Sequence, residues 1–123
     1  PKNYIILSAI IKGTILSKKL IEQKQEELIQ RKKESQPSQV KTGGSTFKNI
    51  GDKKAWKLIK ESGCEKLSVG DAKISEKHCN FFVNNGKAKA SDFEKLINTV
   101  KKEVQSQTGE NLELEIKIIG NEK

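Results

Sequence analysis

The run Thr42-Gly43-Gly44-Ser45-Thr46-Phe47-Lys48-Asn49 sets a hydroxyl on a glycine-rich turn directly ahead of a lysine and an asparagine. Adjacent glycines let a backbone approach a ligand with no Cβ in the way. Far along the chain, Leu112-Glu113-Leu114-Glu115-Ile116-Lys117-Ile118-Ile119-Gly120 alternates apolar and polar residues and offers a carboxylate in a strand-like frame. A hydroxyl and a carboxylate brought together are the parts of a proton-handling site. Position alone does not choose between Glu113 and Glu115, which share a face. Ser45 alone reads as a turn or helix-capping serine, and the Gly-Lys-Ser/Thr ending of a nucleotide P-loop is missing.

Those residues need a scaffold, and 123 residues suffice for one small domain with a modest core. Hydrophobic and charged residues each make up 33%, a polar balance that implies a solvated segment or an open surface. The net charge of +8 favours polyanions or phosphorylated metabolites as partners. Aromatics are only 5%, too few for the stacking platforms of single-strand binders, so nucleic acid is the weaker expectation. Cys64 and Cys79 form no CxxC pair and have no histidine partner pattern, which fits reduced thiols and no metal site. The apolar run Tyr4–Ile11 is too short to span a membrane and lacks a signal-peptide layout, so a soluble protein is expected. The chain begins at Pro1 and contains no methionine, which suggests a processed product or part of something longer.

Tyr4–Ile11 is rich in β-branched residues and predicts a strand buried on both faces. Ser17–Glu34 predicts a polar surface or bridging helix with a thin stripe of Leu16, Leu20, Ile21, Leu28 and Ile29. Pro37 ends that pattern and marks a boundary after residue 36. Beyond it, Asp52 is expected to cap a helix with Ala55, Trp56, Leu58 and Ile59 inward, ending near Ser62-Gly63. Short strands are predicted at 67–69, 72–74 and 81–83, the last closed by Asn84-Asn85-Gly86. Ser91 and Glu94 form an expected capping box for a helix with Phe93, Leu96, Ile97, Val100 and Val104 on one face, terminated at Thr108-Gly109. The last strand, 112–119, is expected to turn Leu112, Leu114, Ile116 and Ile118 to the core. Together these elements predict an α+β fold, a small two-layer domain preceded by a strand and a helix. His78, the lone histidine, and Trp56 are assigned structural roles.

Five stretches in order along the chain resemble the UDP-N-acetylenolpyruvoylglucosamine reductases (MurB family). They are Glu34-Ser35-Gln36-Pro37, Thr42 to Asn49, Ala55-Trp56-Lys57-Leu58-Ile59, Ser75-Glu76-Lys77-His78-Cys79-Asn80-Phe81, and Leu112 to Gly120. The resemblance implies a cytoplasmic flavoprotein, an oxidoreductase that takes hydride from NADPH onto FAD and reduces UDP-N-acetylglucosamine enolpyruvate to UDP-N-acetylmuramate. That reaction serves peptidoglycan synthesis and hence cell wall biogenesis, cell shape, cell cycle and cell division. It implies Ser45 as proton donor, Glu115 as catalytic carboxylate beside an arginine with no counterpart here, and Asn49, with Lys48 and Gly44, as substrate-binding residues. Ile50 stands where a proline usually follows the Phe-Lys-Asn run, and Gly70-Asp71 where two small residues are common.

No dinucleotide-binding fingerprint occurs, so the resemblance covers the C-terminal part of the family. Residues 1–36 are expected to be the last strand and connecting helix of an otherwise absent FAD-binding domain, and 37–123 the substrate-binding domain, inactive alone. The contrasting readings are a basic module that binds nucleic acid or an acidic partner, and a non-catalytic UDP-sugar-binding remnant.

Overall fold

The computed structural model describes residues 5–120. It separates into two compact units, Pro1–Arg31 and Lys32–Lys123. In the first, helix α1 begins at Lys18 and runs on to Ser35 in the second. No residue of α1 is buried, and its stripe of Leu20, Ile21, Leu28 and Ile29 is exposed, as a helix this polar allows. The strand expected at Tyr4–Ile11 does not form: Tyr4 lies outside the described residues, while residues 5–11 have no regular structure and Ile5, Leu7 and Ile10 are fully open. A strand buried on both faces needs hydrogen-bonding neighbours and two covering layers. Among the described residues no strand pairs with it.

The second unit holds a four-stranded antiparallel sheet in the order β1-β4-β3-β2. Its strands are β1 (Lys41–Ser45), β2 (Ser68–Val69), β3 (Ala72–Ser75) and β4 (His78–Asn84). Gly70, at φ 54, makes the β2–β3 turn. Ala72, Ile74 and Phe82 project from one face of the sheet and meet Ala55, Leu58 and Ile59 of α2 (Ala55–Glu61) and Leu96, Ile97, Val100 and Val104 of α3 (Ala90–Thr108). Phe47 and Leu112 complete this core, with the Phe47 and Phe82 rings edge to face at 5.8 Å. The helical spacing in α3 therefore does what it predicts, and Gly109, at φ 75, closes the helix.

Several local expectations are corrected. Asp52 does not cap α2; the Ala55 N–H donates to Asn49 Oδ1 at 3.1 Å. Trp56 lies on the outer side of α2, 41% exposed, because one helical turn cannot point Ala55, Trp56, Leu58 and Ile59 all inward. The Ser91–Glu94 capping box is displaced: the N-cap is Lys89, two residues earlier than expected, and Asp92 Oδ2 accepts the Lys89 N–H at 2.9 Å. The closing strand is reduced to one bridge, Leu114 with Phe47. Leu112, Leu114 and Ile116 still pack on the core, whereas Ile118 is exposed.

Candidate active site

The glycine-rich run is shaped by a bulge. Thr42 pairs with Val83 and Ser45 with Phe81, so β1 carries one more residue than β4 across this interval. An extra residue reverses the alternation and re-aims the side chains beyond it. Gly44 takes up the strain at φ 86. The Thr42 hydroxyl locks the bulge by donating to the Phe82 carbonyl at 2.8 Å and accepting the Gly44 N–H at 3.2 Å.

Past Ser45 the chain is held from two sides. The Thr46 N–H donates to the Asn80 carbonyl at 2.8 Å. The buried Asn80 side chain accepts the Phe47 N–H at 2.9 Å and donates to the Phe47 carbonyl at 2.8 Å. On the other side, the Lys48 N–H donates to the Glu113 carbonyl and the Glu115 N–H to the Thr46 carbonyl, each at 2.9 Å. The two sequence-distant segments are thereby stitched together, and Glu115 arrives beside Ser45.

A cavity of about 370 Å³ opens at this junction, lined by Ser45, Phe47, Lys48, Asn49, Lys54, Trp56, His78, Asn80 and Glu115. Of the sequence-predicted residues, Ser45, Lys48, Asn49 and Glu115 share it; Gly44 lies behind Ser45 and shapes the backbone. The two carboxylates are separated in space. Glu113 lies outside the cavity and pairs with Lys48 at 3.6 Å, while Glu115 lines it. Asn49 spends its Oδ1 on the Ala55 N–H, leaving its amide Nδ2–H groups to donate to a ligand. Lys54, absent from the sequence reading, makes no ion pair among the described residues. Its signal was the turn that folds it back: Ile50 and Lys53 exchange both backbone hydrogen bonds, with Gly51 at φ 55. Ile50 donates one of them, which a proline at that position could not.

The N–H groups of Gly44, Thr46, Phe47 and Lys48 all have protein partners. The side chains here that can meet an anion are Lys48, Lys54 and the Asn49 amide. Both cysteines are free, and burial pushes each thiol above its usual range, with Glu103 and Glu65 adding to the effect at Cys64 and Glu65 at Cys79. No group of three metal-ligating side chains gathers among the described residues. No helix of the described residues is long and apolar enough to cross a membrane.

A sheet backed on one face by two helices, with a cavity where a serine, a carboxylate and two lysines meet, defines a small α+β domain with a site suited to an anionic ligand. Residues 36–119 match the family model described as UDP-N-acetylenolpyruvoylglucosamine reductase, C-terminal domain. The chain is 51% identical over 121 residues to the UDP-N-acetylenolpyruvoylglucosamine reductase of Pelagibacter ubique, covering 96% of this chain and 40% of that protein. It is 42% identical to the enzyme of the same name from Gluconobacter oxydans, covering 98% of this chain and 39% of the relative. Among solved structures, MurB from Thermus caldophilus superimposes with a TM-score of 0.69 at 39% identity, over 82% of this chain and 35% of that one. The chain belongs to the UDP-N-acetylenolpyruvoylglucosamine reductase family, in its C-terminal domain, and spans about 40% of the length of these relatives. This membership favours the reductase reading over a basic binding module.

Proposed function

We propose that this chain is the substrate-binding part of a reductase that converts UDP-N-acetylglucosamine enolpyruvate to UDP-N-acetylmuramate for peptidoglycan synthesis in the cytoplasm. Residues 37–123 form the substrate-binding domain, and 1–36 the end of a FAD-binding domain. FAD and NADPH supply the hydride in the full-length enzyme; this chain alone does not bind them well and is inactive.

The reading is carried by the meeting of Ser45 and Glu115 in one cavity with Lys48 and Asn49. Once the enolpyruvyl double bond is reduced at one carbon, negative charge builds toward the carboxylate and the adjacent carbon must take a proton. Ser45 Oγ–H gives that proton and recovers it from solvent. Glu115 helps stabilise the enolic species, and Lys48 and the Asn49 amide hold the diphosphate. The test is turnover: the full-length protein should consume NADPH only when the enolpyruvyl substrate is present and form UDP-N-acetylmuramate, identified by mass. Absence of that product from flavin-loaded protein would refute the reading.

A further inference from the structure

Asn85-Gly86, in the connection from β4 to α3, is the one Asn-Gly pair of the sequence, and both residues are exposed. An asparagine followed by glycine is well set up for spontaneous deamidation, because no Cβ shields the next backbone nitrogen from the side-chain amide carbon. Here that nitrogen is pinned. The Gly86 N–H donates to Asn84 Oδ1 at 2.9 Å, and the Ala88 N–H donates to the same oxygen at 3.1 Å. Asn84 Nδ2 donates in turn to the Ala88 carbonyl at 3.2 Å. From the β2–β3 turn, the Asp71 carbonyl accepts the Asn85 N–H and Asp71 Oδ2 the Lys87 N–H, each at 2.8 Å.

We propose that Asn85 is a site of spontaneous deamidation and that Asn84 sets its rate by holding the Gly86 N–H in the folded chain. In the reaction the Gly86 nitrogen gives its proton to solvent and attacks Asn85 Cγ. The N–Cγ bond forms, the Cγ–Nδ2 bond breaks, and ammonia leaves with the electron pair and a proton from water, closing a five-membered succinimide. Water then opens either carbonyl and leaves an aspartyl or an isoaspartyl linkage at position 85. Ring closure needs the Gly86 nitrogen stripped of its proton and turned toward Cγ. The bond to Asn84 Oδ1 keeps that proton in place and points it at a different side chain. Attack therefore waits for local opening of the 84–88 connection, and the rate follows the population of the open form. The step is one-way in structure as well as chemistry. A new carboxylate enters a turn that already carries the Asp71 carboxylate, and an isoaspartyl linkage lengthens the backbone between the two N–H groups that Asp71 binds.

The test is to hold the 123-residue chain in mildly alkaline ¹⁸O-labelled water and to read heavy oxygen at position 85 by peptide mass spectrometry. Unfolded in urea, the chain should react fastest, with the folded wild type about tenfold or more slower. Asn84→Ala removes the latch and should speed the folded chain about five- to tenfold, the factor expected from the net loss of a hydrogen bond. Ile59→Val loosens the core in α2 without touching the latch and should leave the rate near that of wild type. Acceleration by Ile59→Val equal to that by Asn84→Ala would assign the reaction to global unfolding and overturn the role of Asn84. A folded wild type as fast as the unfolded chain, or an Asn84→Ala rate equal to that of wild type, would overturn it too. Absence of label at position 85 from the unfolded chain would overturn the site itself.

Discussion

Asn80 clasps Phe47 with both ends of its side-chain amide, accepting the Phe47 N–H at 2.9 Å and donating to the Phe47 carbonyl at 2.8 Å. One buried side chain thus holds the chain to β4 just past the end of β1. It fixes the backbone between Ser45 and Lys48, and through its own N–H it also orients His78.

Removing this clasp should be costly. Asn80→Leu keeps the volume but leaves the Phe47 N–H and carbonyl without partners, and each such buried group costs about 1–3 kcal/mol. A loss of roughly 2–4 kcal/mol in urea unfolding is the expected result. A change below about 0.5 kcal/mol would mean that water or a shifted backbone replaces the amide.

The two glycines ahead of Ser45 should differ sharply. Gly44 sits at φ 86 with open space around it, so Gly44→Ala is strained by conformation alone, by about 1–2 kcal/mol. Gly43 has ordinary φ, and an added Cβ would meet only Ile116 Cγ2 at 3.6 Å, an ordinary contact. Gly43→Ala should therefore lie within about 0.5 kcal/mol of wild type. Thermal unfolding of the two variants side by side decides this.

His78 makes stability depend on pH in a defined direction. Burial lowers its folded pKa below the ordinary 6.5, so the unfolded chain takes up a proton more readily than the folded one. The resulting stability is present above pH 6.5 and is lost as pH falls through the folded value. His78→Gln should flatten that part of the profile when urea midpoints are compared on the two sides of this window. An unchanged slope would assign the acid sensitivity to other groups.

The cysteines should behave as unreactive thiols of unequal access. Both have raised pKa values, and Cys64 is buried while Cys79 is partly open. Iodoacetamide near neutral pH should modify both slowly, Cys79 first, with Cys64 protected until unfolding. Labelling of Cys64 ahead of Cys79 would contradict the packing around α2.

Much of this fold is legible from local pattern. The spacing of Leu96, Ile97, Val100 and Val104, the turn at Gly70 and the stop at Gly109 each depend on neighbours in sequence, and each is found where the pattern puts it. The failures depend on distant partners. Residues 5–11 have strand chemistry but, among the described residues, no strand to pair with, and 112–119 alternates correctly yet makes a single bridge. At the site, the Thr42–Asn49 and Leu112–Gly120 motifs mark the residues that line the cavity. Lys54, Trp56, His78 and Asn80 were not legible as neighbours of Ser45, because a bulge, a tight turn and a buried amide bring them there. A one-residue change in register is invisible to composition and periodicity.

The central claim is that Ser45 donates the proton that completes reduction of the enolpyruvyl group. In the full-length enzyme, the two half-reactions separate under stopped flow into reduction of the flavin by NADPH and its reoxidation by substrate. Ser45→Ala should leave the first nearly unchanged and slow the second by about 10²–10⁴-fold, the usual contribution of a positioned general acid. Reoxidation at the wild-type rate would contradict the assignment.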